Sequence, residues 1–316
     1  MVSYAQSLIF TTDQGKESAS TDFTHKEFDW NQYDAFRPIL PDSLFHSVFQ
    51  FHQENCGRFN VAVDAGTGSG AVLFRWADQF EMVHAIDPNT QPLTAALNGN
   101  MSKIIPHEGQ AEDMSFLKDQ SVDFLASSVS AHFYDRSKWI PEVSRVLSKG
   151  GTLSFWSYSP LPYIGTADSS ATKLFAEHLH NCIPPDYAPP NAHTQGLYLG
   201  LNQDYDCVEL PPAEFENVRR ISWNRPAFFP PVKKHPGELS LLVDDPGFIT
   251  REWNLAQLHE YHHTLGDFER SWIKRDGKAA QAQVDKTWRS LEELFGGPEG
   301  VQKIYWACFL VLATRK

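Results

Sequence analysis

Between Val61 and Gly70 the sequence runs Val-Ala-Val-Asp-Ala-Gly-Thr-Gly-Ser-Gly, with Asp64 two residues ahead of the alternating glycines Gly66, Gly68 and Gly70. Between a buried strand and a helix, glycines at this spacing let the main chain approach a ligand closely. Gly66, Gly68 and Ala71 also satisfy the dinucleotide pattern G-x-G-x-x-G/A. Asp64 argues against that ligand. A carboxylate there would crowd a pyrophosphate, whereas a ligand carrying an ammonium and a sulfonium would be attracted to it. Asp87 follows 23 residues later, where an acid can accept both ribose hydroxyls of an adenosine ligand. Alone, Asp87 would read as a helix cap; beside the glycine loop the ribose role is preferred.

The elements that must position these residues alternate along the chain. Strands are expected over 59–64, 82–87, 103–107, 121–128 and 152–158, with helices over 70–79, 92–97 and 139–147. Upstream, residues 1–27 are polar and read as a flexible arm, and 28–53 are aromatic-rich, with Leu44, Val48 and Phe51 at helical spacing. Downstream, residues 160–236 are dense in proline, which argues for a folded-over insertion. A strand over 217–224, helices over 253–272 and 279–295, and a last strand over 303–314 complete the reading. The expected fold is α/β and Rossmann-like: a mostly parallel seven-stranded sheet with helices on both faces. Residues 28–316 form one domain, with a cofactor-binding core at 28–159 and insertions at 160–216 and 225–300 building a substrate lid.

Composition narrows the partners. The net charge of -12, from 39 acidic and 27 basic residues, repels phosphate backbones, so nucleic acid is excluded as a partner. The four cysteines share no metal-type spacing and read as reduced thiols. No basic stretch and apolar run opens the chain as a signal peptide would, and no apolar run is long enough for a membrane span. A cytoplasmic protein acting on a small molecule, with no membrane partner, is expected.

In order, Asp64–Gly70, the strand-ending Asp87, Gly109-Gln-Ala-Glu-Asp-Met-Ser-Phe116 and the turn at Gly150-Gly151 resemble the class I S-adenosylmethionine-dependent methyltransferases over about residues 28–160. The resemblance implies S-adenosylmethionine as cofactor, leaving as S-adenosylhomocysteine. Asp64, Gly66, Thr67, Gly68, Asp87, Pro88 and Ser128 would hold it, and Gln110, Ala111 and Glu112 would border the adenine. Glu112 could otherwise be a plain solvated acid. A narrower likeness is to the trans-aconitate methyltransferase family. It rests on Tyr33-Asp-Ala-Phe-Arg37-Pro38-Ile-Leu-Pro41, on Ala131-His132-Phe133-Tyr134-Asp135, and on Tyr261-His-His-Thr264-Leu-Gly266, where Gly replaces the family's Ser. It implies acceptor contacts at Trp30, Tyr33, Arg37, Phe133, Tyr261 and His263.

His132 is the candidate catalytic base for a hydroxyl, phenol or enol, because histidine titrates near neutrality; its alternative is a structural bond behind the fourth strand. Arg37 pairs with an acidic acceptor or anchors the N-terminal segment. No Asn/Asp-Pro-Pro-Tyr follows the fourth strand, which weighs against amide or base amino methylation. His259-Glu-Tyr-His-His263 matches H-E-x-x-H, but every methionine lies upstream, so the metzincin version fails and no metal is expected. The reading is methyl transfer to an oxygen of a small molecule in specialised metabolism. Two alternatives stay open: a methyltransferase-like cyclase that uses the sulfonium electrostatically, and a non-catalytic cofactor-binding module.

Overall fold

The computed structural model describes residues 29–99, 102–182, 205–226, 232–265 and 268–316. The arm expected at 1–27, the stretch 183–204 within the proline-dense region, and Gly266 lie outside them.

Five strands pair in parallel in the order β3-β2-β1-β4-β5: β1 (Val61–Ala65), β2 (Met82–Asp87), β3 (Ile104–Glu108), β4 (Val122–Ser128) and β5 (Leu147–Tyr158). The last strand, β11 (Cys308–Arg315), lies antiparallel between β5 and β7 (Phe215–Trp223). Strand order reverses beside β1, and such a switch point opens a crevice at the carboxyl ends of the strands. Side chains of β11 alternate between two cores. Phe309, Val311 and Ala313 join Trp139, Ile140 and Val143 of α4 (Arg136–Val146). Cys308, Leu310 and Leu312 join Leu44, Phe45, Val48 and Phe51 of α2 (Asp42–Glu54). Burial on both faces explains why these strands read as nearly continuous apolar runs.

Among the described residues the sheet has eight strands rather than seven. The additional one, β8 (Leu239–Val243), pairs in parallel with β7 at the edge. All five of its residues are exposed, so burial imposes no alternation for the sequence to betray. The expected strand over 303–314 is two strands. β10 (Val301–Tyr305) joins a separate sheet, β6-β10-β9, with β6 (Tyr163–Ile164) and β9 (Thr250–Asn254), and the chain turns at the buried Trp306-Ala307 before β11. The expected helix over 253–272 instead opens as β9. It continues as α6 (Leu255–Thr264), entered through a capping box between Asn254 and Gln257, and α7 (Phe268–Asp276).

The helix expected over 70–79 is replaced by two short 3-10 turns, Leu73–Arg75 and Ala77–Gln79. Leu73, Trp76, Ala77 and Phe80 keep helical spacing and are all buried. Trp76, however, packs edge-on against Phe80 and Phe124, and its backbone (φ -135°) interrupts the ladder. Tertiary packing has overridden local pattern.

Around this sheet lie α1 (Trp30–Phe36), α3 (Gln91–Leu97), α5 (Ser170–Cys182) and α8 (Lys278–Phe295). Helix α1 packs on α6, where Gln32 Nε2 donates to Glu260 Oε2 at 2.6 Å. Among the described residues no helix is long and apolar enough to cross a membrane.

Candidate active site

The glycine loop turns directly out of β1. Gly66 and Thr67 both donate their N–H to the Ile86 carbonyl (2.8 and 3.1 Å), tying the loop to the end of β2. Gly66 (φ 70°) has left-handed backbone, and a Cβ there would stand 2.4 Å from Ser130 Oγ and 2.6 Å from the Tyr134 hydroxyl. Gly68 (φ 55°) lies beneath the indole of Trp30, which a Cβ would meet at 3.1 Å. Both positions therefore need glycine. No regular helix follows the loop, so the helix N-terminus that a pyrophosphate would use is not built here.

The two acids stand together. Asp87 Oδ2 accepts the Gly68 N–H at 2.8 Å and Oδ1 accepts the Asn89 N–H at 2.9 Å. Each oxygen retains a further lone pair for a ribose hydroxyl. Asp64 is buried, and its Oδ1 has no hydrogen-bond partner. Burial pushes the Asp64 carboxyl up to about 7, against a Thr67 contact, and the charge of Asp87 adds to the rise. A buried carboxylate beside a second acid is favourable only when a cation joins it. The ammonium and sulfonium of S-adenosylmethionine are such cations, so the orphaned oxygen and the glycine cradle fit that cofactor.

The segment after β4 braces the loop from behind. Ser130 Oγ donates to the Ala65 carbonyl at 3.0 Å and accepts from the Tyr134 hydroxyl at 2.9 Å, with Ser127 Oγ 2.8 Å away. Between Ser128, whose hydroxyl is buried without a partner, and Ser130 stands Val129 at φ 54°. Positive φ is strained for a β-branched residue, by about 1–3 kcal/mol; here the Val129 N–H bond to the Trp156 carbonyl (2.8 Å) holds it. Strained backbone at the mouth of the crevice marks a site held in one geometry. Beyond β3 the Gly109 N–H donates to the Asp87 carbonyl at 3.1 Å, which brings Gln110 (exposed) and Ala111 (buried) beside the ribose acid. Glu112 is no solvated acid: one oxygen accepts the Asp135 N–H at 2.6 Å and the other is buried without a partner. Pro88 is exposed.

The expected acceptor residues divide. Trp30 and Tyr33 lie on α1 and Arg37 caps its C-terminus, with ring centroids of Trp30 and Tyr33 5.5 Å apart and the Arg37 guanidinium 4.4 Å from the Tyr33 ring centre. Arg37 donates to the Tyr158 hydroxyl (3.3 Å) and to the Thr264 carbonyl (2.8 Å), with Tyr261 6.0 Å away. Its Nε is buried without a partner, and among the described residues no carboxylate forms an ion pair with it within 4.0 Å. Burial pushes the Tyr261 phenol up to about 12 and the Tyr158 phenol higher still, so both are neutral and cannot balance the guanidinium. Tyr261 itself is committed, donating to the Pro160 carbonyl at 2.9 Å and accepting from Trp306 Nε1 at 3.2 Å.

His263 is not brought to this cluster. It is exposed and packs against His259, their centroids 4.4 Å apart, while its neighbour His262 turns inward. Phe133 is 40% exposed beside His132. His132 is buried with Nδ1 3.1 Å from the Tyr205 hydroxyl. Burial, and then the Arg37 charge, pull its imidazole down to about 3. It is therefore neutral at physiological pH, with the Tyr205 hydroxyl as its bonding partner. Sequence reasoning missed Tyr158, Tyr205, Ser130 and Asn89, whose roles depend on partners distant in the chain or on local turn geometry.

Two expectations follow. Asp87→Ala should weaken cofactor affinity by about 1.5–3 kcal/mol, the usual loss for hydrogen bonds to a charged group; unchanged affinity in calorimetric titration would remove the ribose role. His132→Ala should spare cofactor affinity and lower turnover by roughly ten-fold or less, with the pH–rate profile unmoved. An inflection near pH 6.5 in the wild type that disappears in the variant would instead assign His132 the role of base.

Comparison with known proteins agrees with this geometry. A family model described as a methyltransferase domain matches residues 63–155, which contain the glycine loop, both acids and β4. Methyltransferase pgmE of Aspergillus terreus is 26% identical across 92% of this chain and 95% of its own length. Methyltransferase cfoB of Aspergillus candidus is 24% identical, covering 94% of this chain and 99% of its own. The solved structure of a protein assigned as a type II methyltransferase, from Anaeromyxobacter dehalogenans, shares the fold: its TM-score is 0.59 at 21% identity, over 88% of this chain and 98% of that one. Residues 63–155 thus match a methyltransferase domain, and the chain, similar to these methyltransferases over nine-tenths of its length, has the loop, paired acids and strand order of the class I S-adenosylmethionine-dependent methyltransferase fold.

Proposed function

We propose that the chain methylates an oxygen of a small acidic acceptor whose anionic group lies against Arg37. One observation carries this reading: the Arg37 guanidinium lies among the rings of Tyr33, Tyr158 and Tyr261, and no carboxylate forms an ion pair with it within 4.0 Å among the described residues, Asp34 acting on it only at longer range. When bound, the cofactor supplies an electrophilic methyl carbon on sulfur. The chain supplies alignment and a dry approach. Arg37 presents a fork of donors that orients a carboxylate, enolate or phenolate. An oxygen already ionised needs no base, which suits a site where His132 is held neutral. Trp30 and Tyr33 bridge from Gly68 to Arg37, so the acceptor wall adjoins the cofactor loop.

In this reading the segments at 160–216 and 225–300 are the lid, because α6 supplies both Tyr261 and the Thr264 carbonyl to the Arg37 cluster. All four cysteines are free, which supports a reducing, cytoplasmic setting. The fungal methyltransferases that align over more than nine-tenths of the chain support a place in specialised metabolism. A labelled-methyl assay across small carboxylic acids, phenols and amines tests the proposal. Label should pass to acids or acidic phenols; transfer only to amines would refute it.

A further inference from the structure

Away from the cofactor loop, three buried potential metal ligands converge from two helices, and a carboxylate from a third helix reaches one of them. His178 and Cys182 stand at i and i+4 on α5 and so face one side. His262 on α6 meets them: one donor atom from each of the three lies within 4.8 Å of the others, and all three residues are buried. Cys182 Sγ is 3.7 Å from His178 Nε2, and Glu269 Oε2, from α7, is 2.9 Å from that nitrogen.

His262 is the telling residue. It is 1% exposed, yet neither ring nitrogen has a hydrogen-bond partner, and His178 Nδ1 has none either. Buried polar atoms are satisfied as a rule, and an imidazole orphaned at both nitrogens calls for an occupant. The surroundings suit a closed site. The rings of Phe175, Trp272 and Trp288 wall it, and Trp288 Nε1 donates to Glu269 Oε2 at 2.8 Å, an outer contact of the kind that fixes a ligating carboxylate.

We propose that His178, Cys182, His262 and Glu269 bind a zinc ion that pins α5, α6 and α7 together. Two imidazoles, a thiolate and a carboxylate form a borderline-soft set suited to zinc. Four protein ligands leave no open position, so the role is structural. On binding, Cys182 gives its proton to solvent and coordinates as the thiolate. The site is distinct from the H-E-x-x-H pair: His263 is exposed, and His259 Nε2 stands 4.0 Å from Glu269 Oε1 on the outer side. It is also independent of the acceptor's identity.

The full chain, purified without added metal, should carry about one zinc per chain. Replacing zinc with cobalt(II) should produce a thiolate-to-metal charge-transfer band that is absent in the nearly isosteric Cys182→Ser. Cys182→Ser and His262→Ala should lose the metal, whereas His259→Ala and His263→Ala should keep it. A chelator should lower the Tm of the wild type but not of Cys182→Ser. A folded wild type that neither retains zinc nor takes up zinc or cobalt(II) on titration would overturn the proposal. So would metal that is lost with His259 or His263 but kept in Cys182→Ser and His262→Ala.

Discussion

Asp64→Asn should make the cofactor-free protein more stable at pH 8 while weakening S-adenosylmethionine binding. The folded carboxyl is raised from 3.8 to about 7, so the folded state holds a proton that the unfolded chain releases. This costs nothing below pH 4. The cost grows as pH rises from 4 to 7 and is complete above 7, reaching up to about 4 kcal/mol. Asparagine removes it, so wild type and variant should melt alike near pH 4, with the variant higher at pH 8. The same carboxylate is what a cationic ligand seeks, and its loss should reduce affinity by roughly 100-fold. Binding to the wild type at pH 6 should release a proton, visible as a dependence of calorimetric heat on buffer ionisation enthalpy. A variant that is less stable at pH 8 and binds with wild-type affinity would show that Asp64 is structural.

Arg37→Met should lower kcat/KM by roughly 100- to 1,000-fold on the true acceptor and leave cofactor affinity unchanged, because a buried charge pair with the acceptor is lost. Its effect on stability separates this role from anchoring. A guanidinium among Tyr33, Tyr158 and Tyr261 with no ion-paired carboxylate among the described residues gains little from folding, and an apolar side chain of similar length should be neutral or stabilising. Arg37→Lys keeps the charge but not the fork, so only part of the activity should return. Full activity of Arg37→Met, or a large loss of stability, would place Arg37 in the fold rather than at the acceptor.

The cofactor half of the site was legible in the sequence, because backbone geometry confines residue choice there. Only glycine fits at 66 beneath Ser130 and Tyr134, and an acid stands at or one residue before the end of each of two neighbouring strands. The acceptor half was legible only in part. Tyr158 closes a buried strand, where an aromatic residue looks like any core residue, and Tyr205 reaches His132 from 73 positions away. In Tyr261-His262-His263, successive residues point about 100° apart, and only packing decides which histidine turns inward. That choice fell to His262, not His263. The corner at Trp306-Ala307 and the exposed edge strand β8 were hidden for opposite reasons, one inside an unbroken apolar run and the other with no buried face.

The reaction product is the most direct test of methyl transfer to an acidic oxygen. S-adenosylmethionine with an isotopically labelled methyl, incubated with the wild type and the acceptor selected by the assay panel, should give a methyl ester or ether by NMR and mass spectrometry. An equal amount of S-adenosylhomocysteine should accompany it, and both should be lost in Arg37→Met. An N-methyl or C-methyl product, or conversion of the acceptor without any S-adenosylhomocysteine, would contradict the assignment.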